Sequence, residues 1–373
     1  MNNRERTIAI LNYENYDRMP LVHFGYWGDL LQKWHDEGHL TKEEADGQGD
    51  GNQMDKQIDE KLGWDYCWSS QYSGNNGLMP GFEYKIIEKL PDGGIIQQNW
   101  NGLIEEIKPG LTSIPATVGT LMTGRDAWEE LYKPRLQPNN QRYGNPEQLA
   151  NIKNYLDGLT DRPAGVFAGS LYGSIRDMLG VEGLSYLYAD DEELYIEIID
   201  TVGNLCYSNI KVILESGIKP DFLHFWEDIC FKNGPLVNPA IFKEYIGPHY
   251  KKITDLGKKH GIDIVSLDCD GCIDKLVPTW LENGVNTMFP IEVGTWNASI
   301  EPWRKEYGKE LRGVGGMNKN ILALDFKAVD EEIERFKPLI DLGGFIPCPD
   351  HRLPPHAKWD NVRYYCDQMR KTF

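Results

Sequence analysis

The chain contains no apolar run near the roughly eighteen residues that a membrane span needs, and its opening segment, Met1 to Ile10, lacks the apolar core of a signal peptide. Neither a GxGxxG nor a P-loop follows any strand-like run, which argues against a nucleotide-binding open sheet. Cys269-Asp270-Gly271-Cys272 has no second CxxC to complete a zinc knuckle, and an odd total of seven scattered cysteines does not make a disulfide framework. Reduced thiols and a cytoplasmic location are expected. Positive charge is also short: 39 basic residues against 57 acidic give a net charge of −18. Nucleic acid and anionic membranes, which require a positive field, are therefore not expected partners. With 373 residues, the chain is long enough for one large barrel or two ordinary domains.

The organisation changes near residue 160. Before it, Met19–Phe24 resembles a strand and Leu30–Glu37 a short helix, while residues 44–60 read as a polar loop with a helix attached. Alternating segments at 83–88 and 95–108 flank Pro91-Asp92-Gly93-Gly94, predicting a β-hairpin insertion near 82–109. Helices are expected at 126–132 and, after the Asn145-Pro146 start signal, at 146–159. Beyond residue 160, strand-like runs at 163–168, 221–225, 262–267, 285–290, 311–315 and 343–347 alternate with helical stretches such as 191–215 and 238–260. That alternation implies a parallel sheet. Adding the N-terminal strand and one hidden in the irregular region gives eight, so a (β/α)8 TIM barrel spanning residues 1–373 is expected, with an N-terminal extension.

In such a barrel the strand ends converge on one mouth. Apolar Ile262-Asp263-Ile264-Val265-Ser266-Leu267 runs into Asp268, Cys269 and Asp270; other strand ends carry Glu227, Glu292, and Cys348 with His351. Carboxylates and an imidazole suit acid/base chemistry, and with a thiol they suit zinc. The expected catalytic set is Asp268, Asp270, Glu227, Glu292 and His351; the expected metal donors are His351, Asp268, Asp270 and Cys348. The plainer alternative is that carboxylates after strands cap the next helix. Phe24, Tyr26, Trp27 and Tyr172 are either core packing or an aromatic wall for a flat substrate.

Several short motifs in order carry a family resemblance: Asp17-Arg18-Met19-Pro20, Trp226-Glu227-Asp228 with Asn233-Gly234-Pro235, Leu267-Asp268-Cys269-Asp270-Gly271, Gly284-Val285-Asn286 through Pro290, and His351 through Asn361. Together they resemble the uroporphyrinogen decarboxylase superfamily, in its cobamide-dependent methyltransferase branch. The resemblance implies a barrel that moves a methyl group between a small O- or N-methyl compound, such as a methyl ether, and the cobalt of a corrinoid (methylcobalamin or cob(I)alamin) carried by a partner protein, with zinc as a further cofactor. Tetrahydrofolate as the methyl acceptor, and a decarboxylase or lyase on the same barrel, are alternatives it leaves open. The chain departs from the family in two places. Asp268 and Asp270 stand where thiol-activating members have His-x-Cys, and His351 near their third zinc cysteine. Phe24-Gly25-Tyr26-Trp27-Gly28-Asp29 stands where the decarboxylases have Arg-Gln-Ala-Gly-Arg-Tyr, so the arginines that hold a porphyrinogen's carboxylates are missing.

Overall fold

The computed structural model describes residues 1–109 and 115–373. Its strands are, in chain order, β1 (Val22–His23), β2 (Tyr66–Cys67), β3 (Tyr72–Ser73), β4 (Lys85–Lys89), β5 (Ile95–Gln98), β6 (Leu103–Ile107), β7 (Ala116–Thr120), β8 (Gly165–Gly169), β9 (Phe222–Trp226), β10 (Cys230–Phe231), β11 (Gly234–Pro235), β12 (Ile264–Asp268), β13 (Thr287–Ile291), β14 (Arg312–Met317) and β15 (Phe345–Pro349).

The centre is a seven-stranded parallel sheet in the order β15-β14-β13-β12-β9-β8-β3. Every residue of β12, β13 and β15 is buried, which is why these strands read as continuous apolar runs rather than alternating ones. Helices such as Glu192–Glu215, Gly247–Lys259 and Phe326–Asp341 cover the sheet. The strand hidden in the irregular region is the segment from β2 to β3: its first half pairs with β1 (Val22 opposite Tyr66) and its second with β8 (Tyr72 opposite Val166). Past the end of β1, Tyr26 forms a parallel bridge with Leu353, beyond β15. The arrangement is compatible with a (β/α)8 barrel, although no ladder joins β1 directly to β15 among the described residues.

Most expected elements appear with small shifts. Asn145 caps the helix Pro146–Asp157 in a capping box with Gln148, and Asp191 caps Glu192–Glu215. The insertion is larger than a hairpin: β4 to β7 form a four-stranded antiparallel sheet, and the fourth strand, Ala-Thr-Val-Gly-Thr, is too short and too glycine-interrupted to declare itself by alternation. The stretch from Asn238 to His260 is not one helix but a short turn, a π-helical segment and a helix from Gly247.

Candidate active site

A cavity of about 470 Å³ opens at the carboxyl ends of the strands, lined by Phe24, Trp27, Phe167, His224, Trp226, Asp228, Asp268, Asp270, His351 and Arg352, with Ser69 and Gln71. The strand pleat explains the choice. Side chains two apart share a face, so His224 and Trp226 look into the cavity from β9, while Phe225 is packed in the core on the other face.

The floor is acidic. Asp228, Asp268 and Asp270 each place one carboxylate oxygen within 4.8 Å of the others. Three negative charges cannot share so small a volume with little water. Burial, then repulsion from Asp228 and Asp270, holds Asp268 well above the usual carboxylate range against the opposing Arg352. Burial and Asp270 push Asp228 up to about 6. His351 reaches the trio through Asp270, with Nε2 3.2 Å from its Oδ2, and stacks on Trp27 at 5.7 Å between ring centres. One oxygen of Asp270 and the Nδ1 of His351 are buried without a partner among the described residues. His224, fully buried, is driven down to about 3 by desolvation and therefore contributes a neutral imidazole.

Five of the expected residues lie elsewhere. Glu227 does not face the cavity. It is fully buried, and its carboxylate accepts the backbone N–H groups of Leu171, Tyr172 and Gly173 at 2.7–2.8 Å and the hydroxyl of Tyr250. It thereby closes the N-terminus of the helix Gly173–Asp190, where an anion is favoured. The packing is so close that a Cβ on Gly173 would lie 2.1 Å from the carbonyl oxygen of Glu227. Tyr172 is buried against Tyr195 and Phe242. Tyr26 turns into the core beside His23 and Trp34, because Gly25 at φ +94° breaks the alternation and hands the cavity position to Trp27. Cys348 is buried and contributes no atom to the acidic trio. Glu292 borders a neighbouring recess with Trp27, Asp270 and His351, and its oxygens accept Gly271 N–H and the Thr295 hydroxyl, which fixes the loop carrying Asp270. Trp226, Asp228 and Arg352, at strand ends of the same mouth, line the cavity although they stand outside the expected site set, and so do Ser69, Gln71, Phe167 and His224; the period of two along β8 and β9 is the signal that points to Phe167, His224 and Trp226.

As a zinc site the trio is unusual: it is all oxygen, with the imidazole outside it and no thiol, whereas zinc sites commonly add nitrogen or sulfur donors to any carboxylate. A second cluster behind the cavity, His23, Asp55 and Cys67, fits no better. His23 Nδ1 accepts the Gly25 N–H at 2.9 Å, so Nε2 carries a proton and faces Asp59 at 2.9 Å, leaving no lone pair for a metal.

No family model and no curated protein matches the chain. Among solved structures it is similar to a methyltransferase from Methanosarcina mazei, at 15% identity with a TM-score of 0.61, over 100% of this chain and 98% of that one. It also matches a B12-independent methionine synthase from a Shewanella species, at 10% identity with a TM-score of 0.48, over 95% and 98%. At such identities the first likeness establishes the fold alone.

Proposed function

We propose that the chain forms one (β/α)8 barrel whose cavity moves a methyl group between a small O- or N-methyl compound and the cobalt of a corrinoid carried by a separate protein. The observation that carries this reading is the crowding of Asp228, Asp268 and Asp270 in an aromatic-walled cavity, where burial and its two neighbours raise the Asp268 carboxyl well above its ordinary range and so favour its protonated form. An alkoxide or phenoxide is a poor leaving group, so breaking an O–CH3 bond needs a proton delivered to the oxygen as the methyl departs. Asp268 is assigned that proton: it is the most buried of the three and lies at the end of β12. Asp270, held by its own backbone N–H to Asp228 Oδ1 at 3.1 Å and by His351, restores the proton after each turnover. Phe24, Trp27 and Trp226 give the flat apolar walls against which an aromatic methyl compound would stack. The corrinoid supplies the cobalt nucleophile or the methyl group. The likeness in fold to the Methanosarcina methyltransferase supports the same reading.

The test is methyl transfer to free cob(I)alamin from a panel of methyl ethers and methylamines, with metal analysis of the protein alongside. Failure of the wild type with every donor would reject the proposal. Within it, His351→Ala is expected to lower the transfer rate by about 10²-fold or more while shifting the thermal midpoint little, because the side chain sits on a partly exposed strand-end loop and makes one polar contact, with Asp270. Equal rates in the two proteins would remove His351 from proton transfer.

A further inference from the structure

Among the described residues Arg352 is the one Lys or Arg lining a cavity furnished mainly with carboxylates and aromatic rings, in a chain of net charge −18. Its position is built. Asp50, in the loop between the helices Lys42–Gly47 and Gln53–Leu62, accepts from both terminal nitrogens of the guanidinium, at 2.9 Å for Nη1. That loop is fixed from below: the buried Asp55 accepts the Gly51 N–H at 2.7 Å and the Gln48 side chain at 2.8 Å. Gly25 passes so close that a Cβ would fall 2.4 Å from Arg352 Nη1 and 2.7 Å from Asp50 Oδ1, so three chain segments are shaped around this one ion pair. The guanidinium also lies over the Phe24 ring, 5.8 Å from its centre.

Asp50 takes two of the five N–H donors that a guanidinium offers. The other three have no acceptor among the described residues, and Arg352 lines the cavity where Asp50 does not. A cation held rigidly by one carboxylate, with donors left over and directed at a cavity whose remaining charges are acids, is suited to a second carboxylate that arrives with the ligand. We propose that Arg352 is the specificity residue of this cavity and that the ligand is an aryl carboxylate, its ring between Phe24, Trp27 and Trp226 and its carboxylate on Arg352. The inference rests on the methyl-transfer reading for the ligand's methyl group, which would then point away from Arg352 toward Asp268. The anchoring itself does not depend on transfer.

Benzoate and benzamide are the probes, because they share size and ring but differ in charge, and their binding to the full chain is read by calorimetry without any corrinoid. Wild type is expected to bind benzoate at least about tenfold more tightly than benzamide, the scale of a charged hydrogen-bonded pair. R352Q should erase that preference. R352K, which keeps the charge and loses the planar fork, should retain only part of it, and thermal melting of both variants checks that they fold. If only one of the two variants folds, its benzoate preference decides the matter. Failure of benzoate to bind wild type, equal binding of the two probes, or a full preference surviving in the folded variants would overturn the assignment. Benzoate binding that depends on Arg352, in a protein that transfers no methyl group from any donor, would leave the anchor standing and remove the methyl-transfer reading instead.

Discussion

Replacing Asp268 with asparagine is expected to slow methyl transfer from a methyl ether by about 10²–10⁴-fold and at the same time to raise thermal stability above neutral pH. Both effects follow from one cause. Asp268 is buried at the end of β12 beside Asp228 and Asp270, and its proton is held well above the ordinary range by burial first and by those neighbours second. A carboxyl whose folded pKa exceeds its unfolded value of about 3.9 binds more protons in the folded state across the interval between the two. Stability therefore falls as pH rises through that interval and is unaffected below it. Asp228, pushed up to about 6, contributes the same sign over the window from about 3.9 to about 6. Asparagine keeps the shape and has no charge to bury, so the gap between the melting curves of variant and wild type should open with rising pH and close under acid. The wild-type rate should decline on the alkaline side as the acid is lost, while the residual rate of the variant should lack that decline. A variant that transfers methyl groups as fast as wild type, or one that is less stable than wild type at every pH, would dispose of the proton-donor assignment.

The parts of this site that could be read from the sequence are those in which local pattern and long-range position agree. An apolar run ending in Asp268-Cys269-Asp270 is legible because a strand buried on both faces looks the same in any parallel sheet, and the polar residues after it fall at the carboxyl end by construction. His351 is legible for the same reason after β15. At the end of β9 the sequence offers two neighbouring acids, Glu227 and Asp228, and the period of two that brings His224 and Trp226 into the cavity carries on to Asp228, leaving Glu227 on the buried face with Phe225. After β1 that period fails: Gly25 at φ +94° breaks the alternation, so Trp27 and not Tyr26 lines the cavity. The Asp50–Arg352 pair joins residues 302 positions apart, and no local signal carries that distance. The eighth strand was obscured because Tyr66–Ser73 divides its pairing between two neighbours, each half only two residues long.

Glu227→Ala tests the other side of the same distinction, the separation of acids that hold the fold from acids that react. Its carboxylate accepts three consecutive backbone N–H groups from residues 171–173 and the hydroxyl of Tyr250, all in a fully buried setting. Burial pushes its pKa up while those four donors pull it down, so its oxygens matter as acceptors whichever state prevails. Alanine would leave the three N–H groups with no partner and no route to water, at about 1–3 kcal/mol for each stranded group. A loss of about 3 kcal/mol or more is a large part of the stability of any domain, and it falls at the start of the helix that follows β8. Glu227→Gln keeps one acceptor oxygen but turns an amide N–H₂ toward backbone donors, so it should lie between alanine and wild type. Urea denaturation of the three proteins, with methyl transfer measured well below each midpoint, separates the two roles. A structural Glu227 gives midpoints that fall in the order wild type, glutamine, alanine, with activity surviving in whatever remains folded. A glutamine variant with a wild-type midpoint and no activity would return Glu227 to the reaction and would mean that the acid at the helix N-terminus, not the trio lining the cavity, handles the proton.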